Sequence, residues 1–429
     1  MRARLLDHPV RTALLLGLAA QALFLFHLGW PTRIMFDEVH YVPAARALLD
    51  LSELRNTEHP MLAKELIALG MAVFGDNPIG WRIAATLAGT ATVLGIYAFV
   101  WLLTYETRTA LVAGLLVLLN QAVFIEARIA MLDPFLGAFT VWGIVALLWS
   151  MRAGTPGRAW RRWLAGSVLL GLAVATKWTA APYIAAAGIA FLWIRWRDAP
   201  REGRLGHMLS GKDQRRWPGL PAVPALLALG LVSIASYFAT FLPAFFFRDD
   251  PLTLATLLPF QAAMYASQTQ ILHSHPYQSS WWTWPLTIRP IWYFYEVDDG
   301  YQRGVLLIGN VAIMWGGLLA VLACLLAWFR QRSKPALAVA LLWIFSLAVW
   351  AIIPKSLGFY YYYYLSSIFL CAVVAIAFRA FDRSRGRRFE LGFLAVSAFL
   401  FAWFYPILAA LRLSGGDAFN HWMWFDSWR

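Results

Sequence analysis

Long apolar runs recur along the whole of this chain, and short polar segments between them carry most of its charge. Runs of about 20 apolar residues have the length that a helix needs to cross a bilayer. The pattern predicts eleven such helices, at roughly 11–30, 81–104, 109–125, 131–151, 161–177, 178–195, 221–246, 304–329, 336–353, 361–380 and 390–411. The runs are continuous rather than alternating, which excludes the strand pattern of a membrane barrel. In lipid every backbone N–H and C=O must be paired internally, so these spans should be helices. The expectation is an all-α polytopic membrane protein, with one integral membrane domain over 1–429. The first run, in "MRARLLDHPVRTALLLGLAAQALFLFHLGW", is longer than the apolar core of a signal peptide and reads as an uncleaved span.

Two long segments break the rhythm. The first, 31–80, opens with "MFDEVHYVPAARALLD" and continues into "EHPMLAKELIALGMAVFG", whose apolar residues recur at helical spacing. That spacing predicts an amphipathic helix lying on the membrane. The second, 247–303, contains "HSHPYQSSWWTWPLTIRPIWYFYEVDDGYQRG", crowded with the Trp and Tyr that favour the bilayer interface.

Charge then orients the chain. The net charge is +13, yet only 14% of the residues are charged and 60% are hydrophobic. In a soluble protein such a balance points to nucleic acid. Here 23 of the 36 Lys and Arg fall in 1–11, 105–108, 151–163, 195–217, 330–335 and 379–390, as cytoplasmic loops require. No nucleic-acid partner is expected. The N-terminus is placed inside and the C-terminal "HWMWFDSWR" outside. Only 7 of the 23 acidic residues share the inner segments, so the outer face is acidic for a reason other than topology. Both cysteines, Cys324 and Cys371, lie in apolar runs and define neither a disulfide framework nor a zinc spacing. No Walker A pattern, dinucleotide loop or internal repeat stands out, which leaves an inverted-repeat transporter unsupported.

The chemistry-bearing residues gather at the outer ends of the spans. Asp37 and Glu38 are adjacent, and on a helix they point about 100° apart, so they need not act as one dyad. One can accept a proton while the other fixes a ligand; capping of a helix near Tyr41 is the plainer alternative. His59, Lys64, Arg82, Arg128, Asp133 and Lys177 follow. Each alone suits a helix-end role. Together they place cations and carboxylates within apolar surroundings, where ionisable groups face one another or a polar cavity. Lys64, Arg82, Arg128 and Lys177 suit a phosphate, which Arg forks onto and Lys meets as a point charge. His273 and His275 are a weak metal pattern with no third ligand in view. A divalent metal is neither required nor excluded, and no metal ligand is assigned.

The segments "FDEVHYVPAARAL", "EHPMLAKELIALG", "WRIAATLAG", "EARIAMLDPFLGAF", "GLAVATKWTAAPY", "HPYQSSWWTWPLTIRPIWYF", "LIGNVAIMW" and "YYYYYLSSIFL", in this order, resemble the protein O-mannosyltransferase family of GT-C membrane glycosyltransferases. The resemblance implies a GT-C fold with outer-face loop helices. It also implies inverting transfer of mannose from a polyprenyl-phosphate carrier to Ser or Thr of exported proteins, at the outer face of the cell membrane. It makes Asp37 the candidate base, Glu38 its partner, and Arg82 a candidate for the donor phosphate. It places His59, Lys64, Arg128, Asp133, His275, Tyr277, Trp284 and Arg289 on further motif positions. "EHPML" and "EAR" depart slightly from the family pattern, and 247–303 is too short for the soluble MIR module of the eukaryotic enzymes.

The reaction fits these residue types. An attacking hydroxyl must lose a proton, which a carboxylate can take. The leaving group is already a stable phosphate anion, so the second carboxylic acid of a glycoside hydrolase is not needed. The rival readings are a related transferase acting on a lipid or glycan, of the aminoarabinose-to-lipid A type, and, less well supported, a lipid flippase or a membrane scaffold.

Overall fold

The computed structural model describes residues 8–211, 214–382 and 387–429. Several of the inner-loop cations, including Arg2, Arg4, Lys212, Arg383 and Arg385, lie outside the described residues, as does the start of the N-terminal segment. Helices occupy all eleven predicted positions: α1 (Pro9–Leu25), α4 (Pro78–Thr104), α5 (Thr107–Leu118) with α6 (Gln121–Glu126), α7 (Asp133–Met151), α8 (Pro156–Thr176), α9 (Ala181–Asp198), α11 (Ala222–Ala239), α13 (Val311–Gln331), α14 (Lys334–Ala348), α15 (Tyr364–Phe381) and α16 (Arg388–Leu408). Among the described residues, seven of these segments are long and apolar enough to cross a membrane; α1, α5, α8 and α9 fall outside that set. Three further helices lie between spans: α2 (Glu38–Asp50), α3 (Leu62–Phe74) and α12 (Leu257–Thr269), with the short α10 (Arg204–Ser210) on the opposite side of the chain's alternation.

One element adds a hairpin to the helical architecture. Residues Ile291–Asp298 (β1) and Tyr301–Leu307 (β2) form an antiparallel hairpin, paired from Ile291–Leu307 to Asp298–Tyr301. Its turn contains Gly300 at φ +73°, a conformation glycine adopts without steric cost. The aromatic, β-branched run "IWYFYEV" has strand propensity. The eighth helix therefore begins at Val311 and not at 304.

Local signals set the helix starts around the end of the bundle that carries Asp37. Asn77 Oδ1 accepts from the N–H groups of Ile79 and Gly80, and Pro78 occupies the first turn of α4. Gly70 of α3 and Gly80 of α4 meet without side chains: a Cβ on Gly70 would sit 2.5 Å from the Gly80 carbonyl oxygen. This contact lays the amphipathic α3 against the first turns of α4. At the centre of the bundle, α15 is buried from Tyr364 through Ala377. It packs on α13 and α14, and the tyrosine run before it reaches the outer site.

Candidate active site

Asp37 and Glu38 are split by the start of α2. Asp37 holds the position before the first helical residue, but its carboxylate makes no capping hydrogen bond. The capping alternative is thereby removed. Among the described residues no side chain or backbone N–H donates to the Asp37 carboxylate. Glu38, by contrast, is fully buried. Its Oε1 accepts from Arg82 Nε at 2.7 Å and from the Ala130 N–H at 3.0 Å. Its Oε2 accepts from Arg82 Nη2 at 2.9 Å and from the Met35 N–H at 3.0 Å.

Arg82 spends its remaining donors on carbonyls. Nη1 donates to Leu28 at 3.3 Å and Pro31 at 2.8 Å, and Nη2 to Arg33 at 3.1 Å. All five N–H groups of the guanidinium are then used. In this arrangement Arg82 ties α4, α2 and the end of α1 together, and its N–H groups are engaged within the protein. Arg128 also donates to carbonyls, through three of its five N–H groups. Its Nη1 donates to the carbonyls of Phe24 and Phe26, its Nη2 to that of His27, and its guanidinium lies 4.9 Å from the Phe124 ring centre. Lys64 gives its three N–H bonds to the carbonyls of Arg55, Asn56 and His59 at 3.4, 2.7 and 2.8 Å. Burial pushes its ammonium down to about 7, against which the carboxylates of Glu58 and Glu65 act only weakly. These cations are turned towards carboxylate and carbonyl oxygens, which take most of their N–H groups, as burial of a cation requires.

Lys177 is different. Its Nζ meets both oxygens of Asp133 at 3.0 Å. It also lies 5.2 and 5.0 Å from the ring centres of Tyr361 and Tyr362. Lys177, Asp133, Thr179, Tyr183, Trp350 and Tyr362 line a small cavity between α7, the start of α9 and the tyrosine run. Asp37 stands within electrostatic reach of Lys177 and Asp133. Burial pushes the Asp37 carboxyl up to about 6, with His40 and Lys177 drawing it back and Asp133 adding to the rise. A carboxylate of that affinity, free of partners, is tuned to accept a proton near neutral pH.

Several neighbours were not singled out from sequence. Phe36 stacks on Tyr293 of β1 with ring centres 4.0 Å apart, and the Tyr293 hydroxyl donates to Glu126 Oε1 at 2.6 Å. The hairpin that the sequence hid therefore supports the residue beside Asp37. Lys355 and Gln268 are a second pair. Lys355 Nζ donates to Gln268 Oε1, and Gln268 Nε2 contacts the Glu58 carbonyl and His59 Nδ1. A lone lysine in the apolar stretch "AIIPKSLGF", just before the tyrosine run, was the available signal.

The aromatic loop contributes less directly. His59 is half-buried, edge-on to Tyr41 at 6.2 Å. Trp284 is buried against Trp350 and Tyr362, one layer behind Lys177. His275 is exposed, and its Nδ1 accepts from the Tyr277 N–H at 3.1 Å. Arg289 lies over Tyr277 and donates to the carbonyls of Pro276, Ser427 and Arg429, which ties the loop to the C-terminal tail and not to Asp37. Among the described residues, no group of three or more His, Cys, Asp or Glu side chains is placed to hold a metal ion.

Comparison with known proteins places this geometry in a family. Residues 76–247 match the family profile described as dolichyl-phosphate-mannose-protein mannosyltransferase. Residues 253–428 match the C-terminal four-span region of protein O-mannosyltransferase. A polyprenol-phosphate-mannose–protein mannosyltransferase of Mycolicibacterium smegmatis is 28% identical, covering 97% of this chain and 92% of its own. An undecaprenyl phosphate-aminoarabinose arabinosyl transferase of Pseudomonas aeruginosa is also 28% identical, but over 74% of this chain and 50% of its own. The fold matches the Saccharomyces cerevisiae Pmt1–Pmt2 complex bound to the sugar donor, with a TM-score of 0.78 and 14% identity over 99% of this chain and 94% of that one. The chain is a multi-span membrane protein with the GT-C architecture, and it belongs to the protein O-mannosyltransferase family.

Proposed function

We propose that this protein transfers mannose from a polyprenyl-phosphate-mannose donor to Ser or Thr hydroxyls of exported proteins, at the outer face of the cell membrane. The observation that carries this reading is the Asp37 carboxylate, without a hydrogen-bond donor among the described residues and within electrostatic reach of the Asp133–Lys177 pair. Asp37 accepts the proton of the acceptor hydroxyl as its oxygen attacks the anomeric carbon. The new bond forms on the face opposite the phosphate, so the configuration inverts. The C1–O bond to phosphate breaks, and its electron pair leaves with the polyprenyl monophosphate. Glu38 does not touch substrate; through Arg82 it holds the start of α2 and thereby the direction of Asp37.

The membrane position follows from the donor. Its tail stays in lipid while its head group reaches the loops that carry Asp37, Lys177 and the tyrosine run. The distribution of Lys and Arg supports a cytoplasmic N-terminus and an outward-facing site. The aminoarabinose arabinosyl transferase matches a smaller part of this chain than the protein mannosyltransferase does, which favours a protein acceptor.

The test is transfer of mannose from polyprenyl-phosphate mannose to a Ser/Thr peptide by the detergent-purified protein. Transfer to peptide, with the configuration at C1 inverted relative to the donor, is the expected result. Transfer to lipid and none to peptide would overturn it.

A further inference from the structure

The outer site gathers cations, but most of their charge is already spent. Glu38 neutralises Arg82, Asp133 neutralises Lys177, and Lys64 is saturated by three carbonyls. The donor's phosphodiester carries one negative charge, and its departure as a monoester adds a second. That second charge needs a cation beside Lys177 that no carboxylate already holds.

Lys355 has those properties. It lies in 352–359, between α14 and the tyrosine run, and it is half-buried. Among the described residues its side chain pairs with no carboxylate; its partner is the neutral Gln268 amide. Lys177 is close enough to depress it: burial first, then the Lys177 charge, hold the Lys355 ammonium down to about 8. His59 feels both lysines and Lys64, and burial with those charges holds its imidazole well below the usual range. It is therefore a neutral hydrogen-bonding neighbour and not a competing cation.

The loop that carries Lys355 is also fixed in place. Ser356 Oγ donates to the Gln270 carbonyl at 2.9 Å and accepts from the Leu272 N–H at 3.2 Å. Gln268, at the end of α12, clasps the Glu58–His59 segment with its other end. One amide thus links three loops and holds Lys355 through a neutral contact that an anion can displace.

We propose that Lys355 binds the phosphate of the lipid-phosphate donor, exchanging the Gln268 amide for phosphate oxygens, and takes the charge that appears when the C1–O bond breaks. The proposal rests on the lipid-phosphate-sugar reading given above. It adds the residue that discriminates the leaving dianion from the bound diester.

The experiment compares the wild-type chain with Lys355→Gln and Lys355→Arg. It measures kcat and KM with polyprenyl-phosphate mannose, and binding of polyprenyl monophosphate by titration. Loss of one such electrostatic contact lowers kcat by about 10²-fold or more. In Lys355→Gln the monophosphate is expected to lose its advantage over the diester, while Lys355→Arg restores most of it. A residue with only a structural role would weaken both ligands alike or shift the unfolding temperature. Either of those results, or an unchanged affinity ratio in Lys355→Gln, overturns the proposal. If the wild type transfers no mannose, the functional reading fails instead, and the monophosphate titration still decides whether Lys355 is a phosphate ligand.

Discussion

Asp37 and Glu38 are neighbours in the chain, and the fold gives them opposite environments. On the Glu38 side everything is paired: a carboxylate and a guanidinium, both at 0% exposure, with backbone groups taking what each leaves over. On the Asp37 side the charges are incompletely matched. A free carboxylate stands near one paired lysine, Lys177, and another, Lys355, holds only an amide. The difference teaches that the pair divides stability from chemistry. A buried ion pair costs several kcal/mol to break but adds little against a well-packed apolar alternative, and its retention fits a positioning role. A buried carboxylate without a donor costs stability, which is consistent with the proposed role of Asp37 as base.

The largest effect should separate the two sides. Asp37→Asn is expected to lower kcat by about 10²- to 10⁴-fold, as loss of a general base does, with an unchanged unfolding temperature in detergent. Retained activity would remove Asp37 as the base. Glu38→Ala is expected to do the reverse in kind: it leaves Arg82 uncompensated and costs about 3–5 kcal/mol of stability, read as a lower unfolding temperature. If Glu38→Ala kept its stability and lost only activity, the strut would have to be counted as catalytic.

Acid should act on the Asp37 side first. Its carboxyl is raised to about 6 and works ionised, so kcat/KM should fall as pH drops through about 6. On the alkaline side, loss of the Lys355 proton sets a second limb near 8 in the free enzyme. A profile flat between pH 5 and 7 would contradict the base assignment. The smallest effect belongs to the exposed pair Arg46–Asp76, which links α2 to the start of α4 with side chains 43% and 48% exposed. Arg46→Ala should cost no more than about 1 kcal/mol and leave kcat unchanged. A larger loss would mean that the orientation of α2 depends on this outer tie as well as on Glu38.

Much of the fold could be read from the chain because apolar length is local. Each helix announces itself within some twenty residues, and Asn77, Pro78 and the outer amphipathic segment mark starts in the same local way. The hairpin escaped because "IWYFYEVDDGYQRGVLL" is aromatic and interfacial in composition, and its pairing shows only once the strands meet. The cations were found, but their use was not. Glu38 and Arg82 lie 44 residues apart, as do Asp133 and Lys177; Gln268 and Lys355 are separated by 87. No periodicity links residues at those distances.

The sequence by itself determined that this chain is a helical, multi-span membrane protein. It did so because crossing a bilayer demands long apolar runs and cytoplasmic loops collect Lys and Arg. The motif order also carried the family. Only the tertiary structure decided which charges are free. A buried N–H or carboxylate must be satisfied by whatever the fold brings within about 3 Å, and that partner is a matter of packing across the chain. By that rule Arg82, Arg128 and Lys64 bond within the protein, while among the described residues the Asp37 carboxylate accepts no hydrogen bond and Lys355 holds only an amide.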